Sequence, residues 1–291
     1  MNHPLAEPPW GPSIGLYIVL TGFASGLSLA TYLLRPSDER AATRIDWIAA
    51  WTSLATLAVC ALIVISDLRR PARFYLMVTQ FANTGSLMSW GAKIIALKIG
   101  LLAVHLLLLR RRRRAIAAGD TTLTGRATRA VYAAVPGALA VVSLALAIYP
   151  AFLLSWTWSS PAAHHAGSAL VFLSSAAVMG VAGSNAVVAI AGDAGEPSTA
   201  ARARSALLRM VVAHAVVLGF VALSLQAGDA RSVLDELSRG AWTRACWLLV
   251  ASTGIAVALG IPALGDRRGL AASGAAVIAA AACRYVIFAL S

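Results

Sequence analysis

The chain alternates between long apolar blocks and short polar connectors, and the blocks have the length of a membrane crossing. A hydrocarbon core about 30 Å thick needs about 20 apolar residues of helix at a rise of about 1.5 Å each. Eight blocks meet that requirement: residues 13–34, 45–65, 88–109, 131–154, 164–191, 206–225, 243–264 and 270–290. Within them the apolar positions run nearly without interruption, unlike the one-sided stripe of a water-facing helix. The pattern predicts an all-α integral membrane protein with eight transmembrane helices in a single domain, 1–291. Two four-helix bundles would account for the count, although no internal repeat is visible. Pro136 and Pro150 predict a kink or an early stop in the fourth helix.

Composition strengthens this reading. The chain is 59% hydrophobic and only 12% charged, against about 25% charged in a soluble domain. Its net charge of +12 would suggest nucleic acid in a soluble protein. Here the arginines lie between apolar blocks, where they set topology, and no basic groove or aromatic platform can be placed. The connectors after the first, third, fifth and seventh helices hold 15 arginines, and the opposite side holds 6. The positive-inside rule makes the richer side cytoplasmic. Both termini and the 66–87 connector then face outward from the inner (cytoplasmic) membrane. No Lys or Arg precedes the first block, so a cleavable signal peptide is not expected. All eight tryptophans fall near helix ends, at headgroup depth.

Small residues mark helix contacts. Gly22 and Gly26 are four apart, as are Gly180 and Ser184 with Gly183 beside them. Such spacing lets two backbones approach closely in lipid.

Ionisable residues inside a span are costly and face the bundle interior or a wet cavity. Lys93, Lys98, His105, His214 and Arg284 qualify, and no Asp or Glu is placed deep in a span. A transmembrane proton relay built on carboxylates is therefore not expected. Lys93 can snorkel to the outer interface, whereas Lys98 sits near mid-membrane and needs a partner or a wet cavity, for a structural or a functional role. Haem b would require two histidines facing each other at one depth. Only His105 and His214 approach that, with nothing further to support them. Cys60, Cys246 and Cys283 are far apart, so no cluster or zinc spacing exists. The expectation is no metal or haem in this chain.

The connector after the second helix reads Ser66-Asp67-Leu68-Arg69-Arg70-Pro71-Ala72-Arg73-Phe74-Tyr75 and continues to Gly85-Ser86-Leu87-Met88-Ser89-Trp90-Gly91. Alone, it could be a helix cap with a salt bridge. In context it resembles the NrfD/PsrC family, the membrane subunits of polysulfide, tetrathionate and formate-dependent nitrite reductases. The family signature is Asp-Leu-Gly-Arg-Pro-x-Arg-Phe followed by Ser-x-Met-Ser-x-Gly. Asp67, Leu68, Arg70, Pro71, Arg73, Phe74, Ser86, Met88, Ser89 and Gly91 match, and Arg69 replaces the glycine. Tyr17, Gly22 and Gly26 match the first helix. Tyr149, Leu153 and Leu154 keep part of the fourth-helix ending, and Arg284-Tyr285-Val286-Ile287 matches the eighth.

The resemblance implies a membrane subunit that exchanges electrons between a quinone, of menaquinone or ubiquinone type, and an iron–sulfur subunit docked outside. A catalytic subunit of molybdopterin type would lie beyond it. Tyr149 matches the tyrosine that hydrogen-bonds the quinone, and Asp67 becomes the candidate proton acceptor. Arg70 and Arg73 would hold its charge or form the docking surface, and Ser89 and Lys93 could line the pocket. Relatives can carry a histidine near the outer end of the first helix. Here Ser13 or Tyr17 would have to substitute. A membrane anchor without quinone chemistry and a transporter remain the alternatives.

Overall fold

The structure, a computed structural model, describes residues 11–68, 71–79, 86–119, 126–156, 167–191, 197–226 and 266–289. Every regular element among them is helical: α1 (Pro12–Leu33), α2 (Glu39–Asp67), a 3₁₀ turn (Pro71–Arg73), α3 (Phe74–Thr79), α4 (Leu87–Ala117), α5 (Arg126–Ser155), α6 (Gly167–Ala191), α7 (Pro197–Gln226) and α8 (Asp266–Ala289). All but α3 and the 3₁₀ turn are long and apolar enough to cross a membrane, giving seven candidate spans among the described residues. The chain is a multi-pass membrane protein. The predicted helix 243–264 lies outside the described residues.

Several helices outrun their apolar blocks. The block 45–65 lies within α2, which begins at Glu39 because Asp38 caps it, its carboxylate accepting from the Ala41 N–H at 2.7 Å. The block 88–109 lies within α4, which continues through the five arginines to Ala117. Arginine is a good helix former, so a helix need not end where its apolar run ends. Ser86 caps the start of α4 by accepting from the Ser89 N–H. Pro150 does not stop α5, which includes both prolines and runs to Ser155. In membrane helices, neighbouring groups satisfy the backbone that proline frees.

The packing turns a soluble protein inside out. Leu33, Val141, Leu62 and Phe220 are exposed, while Thr21, Ser25, Ser53, Lys98, Ser175 and Arg284 are buried. One apolar cluster joins α1, α2, α4 and α5, with Phe172 and Phe288 added from α6 and α8. A second joins α6, α7 and α8 to Ala30 of α1. Helix α1 therefore serves both halves. Its contact with α6 has the form the small residues imply. Gly26 and Gly180 meet backbone to backbone, and a Cβ on Gly26 would overlap the Ala176 carbonyl. Gly22 serves differently: the space beside it holds the Arg284 guanidinium.

Arg284 is wholly buried and has no carboxylate partner among the described residues. It donates to the carbonyls of Ile18 at 3.2 Å, Phe172 at 2.6 Å and Ala147 at 3.4 Å, and to the Ser175 hydroxyl at 3.2 Å. The guanidinium also lies 4.8 Å from the Phe172 ring centre. One side chain of α8 thus ties α1, α5 and α6 together.

Candidate functional site

At one end of the bundle, α1 begins, α2 ends, α4 begins and α5 ends. Between them lies a cavity of about 470 Å³. Its wall is largely apolar, built from Ile14, Val64, Phe74, Met88, Ile95 and Leu153 among others. Three hydrogen-bonding side chains interrupt it: Tyr17, Asp67 and Tyr149. Small-molecule sites combine a mainly apolar wall with a few placed polar groups in this way, in volumes of roughly 300–1,000 Å³.

Each polar residue is positioned by its helix. Asp67 is the last residue of α2, and its carboxylate accepts from the Ser13 hydroxyl at 2.9 Å. Ser13 therefore stands beside the acid, in the first turn of α1. Tyr17 follows one turn later and is buried, and its hydroxyl has no hydrogen-bond partner among the described residues. Tyr149, buried near the end of α5, donates to the Leu87 carbonyl at 3.0 Å. Its ring occupies the space that a Cβ on Gly91 would fill. That is a physical reason for the glycine in the Ser-x-Met-Ser-x-Gly stretch: α4 must lack a side chain there for Tyr149 to reach it.

The remaining sequence candidates are distributed otherwise. Ser89 is buried, and its backbone N–H serves the helix cap instead of the cavity wall. Lys93 is partly buried, with its ammonium 5.5 Å from the Trp90 ring centre, and it also stands off the wall. A long cationic side chain lying over an amphipathic ring suits the membrane interface. Arg73 is exposed on the 3₁₀ turn. Arg70 lies outside the described residues.

Lys98 sits one turn below Ile95, inward of the cavity. It is fully buried and donates to the Ala24 carbonyl at 3.0 Å and the Ser25 hydroxyl at 3.4 Å. Its partner is thus the neighbouring backbone of α1. Ser53 of α2 joins the same layer, 3.4 Å from the Ser28 hydroxyl. Of the two deep histidines, His214 meets Ser174 of α6 at 2.8 Å through Nδ1. No group of three or more potential metal ligands exists among the described residues.

Sequence reasoning missed most of the wall. Phe74 comes from the connector, where the short helix α3 was not expected, and Ile14, Val64 and Leu153 look like any other apolar membrane residue. The signals that could have found them were position and chemistry together. Each lies within a turn or two of a polar candidate at the same helix end.

Fold and site together define a helical, multi-pass membrane protein with an apolar cavity at the rim of its bundle. The chain belongs to the NrfD family: the family model described as polysulphide reductase, NrfD, matches residues 2–291. Proteins of this family are membrane subunits of respiratory oxidoreductases and assemble with iron–sulfur and molybdopterin subunits. A search of curated proteins found no match. The resemblance carried by the connector thus extends over essentially the whole chain.

Proposed function

We propose that the cavity receives the ring of a membrane quinone or quinol, and that electrons exchanged there pass to an iron–sulfur subunit docked at the same end. The observation that carries this reading is the convergence of Tyr17, Asp67 and Tyr149 on one apolar cavity between four membrane helices. An isoprenoid quinone offers a flat, mostly apolar ring with one polar atom at each end. A greasy wall with few polar groups is its complement.

The hydrogen-bonding capacities assign roles. An ionised carboxylate is acceptor-only, so Asp67 can take a quinol hydroxyl proton while Ser13 holds its other bond. The Tyr149 hydroxyl already donates to Leu87 and retains acceptor capacity for a second quinol hydroxyl. To donate to a quinone carbonyl it must release Leu87. Tyr17 brings an uncommitted hydroxyl and can serve either form. Oxidation of a quinol releases two protons and two electrons. Asp67 receives one proton at the rim, the second passes to water outside the cavity, and the partner's clusters take the two electrons one at a time. Arg73 and the exposed Tyr75, on the segment that supplies Phe74 to the cavity, are the docking surface in this reading. The chain then acts in the cytoplasmic membrane as the quinone-reactive subunit of a larger complex, with a molybdopterin-type subunit beyond the clusters.

The test uses the intact complex and a quinol-site inhibitor. Tyr149→Phe should weaken inhibitor binding by roughly twofold to tenfold, the range of one ordinary hydrogen bond. Asp67→Asn should slow quinol-dependent turnover by about a hundredfold or more, the scale of a lost general base. Unchanged binding and turnover in both variants would leave the anchor reading in its place.

A further inference from the structure

The opposite end of the bundle carries a second concavity, of about 350 Å³, lined by Trp47, Arg110, Arg113, Arg114 and Ala117. Its depth follows from helix length. Leu87 begins α4 at the cavity end, and Arg110 lies about 35 Å further along at 1.5 Å per residue. That exceeds the roughly 30 Å hydrocarbon core, so the arginines stand at headgroup level. Trp47 of α2, beside them, belongs at the same depth.

Loop arginines on this side need no site to explain them, since they set topology. The arrangement here is more specific. Arg112 is neutralised by Glu39 and lies over the Tyr132 ring. Arg113 lies over the Trp47 ring, 4.9 Å from its centre. Arg110, Arg113 and Arg114 have no carboxylate partner among the described residues. Three guanidinium groups without a carboxylate partner among the described residues thus line one hollow together with the Trp47 ring, between α2 and α4. Guanidinium forks match phosphate oxygens in two-point hydrogen bonds. Exposed apolar side chains continue down the same helices, Leu107 and Val104 on α4 and Trp51 on α2, where acyl chains run.

We propose that this hollow is a binding site for the phosphodiester headgroup of an anionic phospholipid, seated between α2 and α4 at the arginine-rich rim. The chemistry is independent of the cavity at the other end. The site takes the headgroup from the bilayer and not a free anion, because the hollow adjoins the exposed apolar faces and lies at headgroup depth. A lipid held there bridges α2 to α4.

Native mass spectrometry of the purified full chain in detergent tests this. The protein is titrated separately with phosphatidylglycerol, phosphatidylcholine and inorganic phosphate. Phosphatidylglycerol should bind in preference to phosphatidylcholine. Arg113→Gln with Arg114→Gln should weaken the anionic lipid by roughly fivefold for each arginine removed. Arg202→Gln with Arg204→Gln, an equal charge change on α7, should leave it within about twofold. Arg113→Lys keeps the charge and loses the planar fork, so it should fall between parent and double variant, and it keeps the test open if the double variant folds poorly. Equal loss in both arginine pairs would mean bulk charge alone and overturn the site. So would equal binding of phosphatidylcholine, or displacement of lipid by inorganic phosphate at matched concentration.

Discussion

Tyr149 and Gly91 are one structural unit, although 58 positions separate them in the sequence. The tyrosine ring lies where a Gly91 side chain would be, and its hydroxyl reaches the Leu87 carbonyl across the start of α4. Gly91→Ala should therefore act as a remote lesion of the cavity. Its methyl group displaces the ring, so affinity for a quinol-site inhibitor should drop at least as far as in Tyr149→Phe, although Gly91 is not on the wall. Binding titrations of the two single variants and the double variant check this. In the double variant the second change should add little, since residues sharing one contact are not additive. The same logic applies to Gly22 and Arg284. Arg284→Ala removes four hydrogen bonds and leaves a hole where four helices meet. Charge-assisted bonds contribute about 1.5–3 kcal/mol each in favourable cases. A loss of at least ~3 kcal/mol is expected, read as a fall in the thermal midpoint of the detergent-solubilised protein. At this scale the sequence was informative where chemistry is rare. Asp67, Tyr149 and Tyr17 were singled out by the resemblance to the family's motifs, and all three line the cavity. Ser89 and Lys93 were placed by depth alone; the Ser89 N–H donates to the capping Ser86 hydroxyl, and the Lys93 ammonium lies by the Trp90 ring. Sequence spacing gave their depth and not the direction in which they point.

Among elements, α1 is central because it packs on both halves of the bundle. Its contact with α6 has no side chain at the crossing, where Gly26 faces Gly180. In lipid there is no hydrophobic drive between helices, so close backbone approach supplies much of the association. Gly26→Val or Gly180→Val must separate the pair, and the contact should be lost rather than repacked. Membrane extracts should then yield little monodisperse protein, while a substitution at Gly100, which has open space around it, should be tolerated. Gly100→Ala is the matched control. The glycines at 22, 26 and 180 could be seen in the sequence as a contact code. Which partner each one served could not: Gly22 accommodates a guanidinium, and Gly26 accommodates a backbone. Helix lengths show a related limit. Hydropathy reports where lipid begins and ends, so it located the spans but understated α2, α4 and α7, whose polar turns continue as helix beyond the lipid. The short helix α3 was hidden because six residues carry too little periodicity to be read.

The two hollows at opposite ends give the whole molecule a direction. The cavity lined by Asp67 and Tyr149 lies where α4 begins, and the arginine-rich hollow lies where α4 ends. The positive-inside bias assigns the arginine end to the cytoplasm, with 15 arginines against 6. Under the proposed function, that assignment decides where an iron–sulfur partner would dock, since electrons would leave from the end that holds the cavity. Two exposed positions report it directly. Thr79 closes α3 beside the cavity, and Ala118 follows the arginine run. Cys60 and Cys283 are buried and should stay silent towards a bulky reagent. Replacing Cys246 by serine completes the background. In intact spheroplasts a membrane-impermeant maleimide should label Thr79→Cys and spare Ala118→Cys until the membrane is opened. The opposite pattern would place the cavity lined by Asp67 and Tyr149 on the cytoplasmic side. The docking partner would then have to be a cytoplasmic protein, and protons released at Asp67 would stay inside the cell. Because the arginine bias is large and several connectors share it, no single loop charge should invert the result. Neutralising Arg110 to Arg114 together would still leave 10 arginines against 6, and Thr79→Cys should remain labelled from outside.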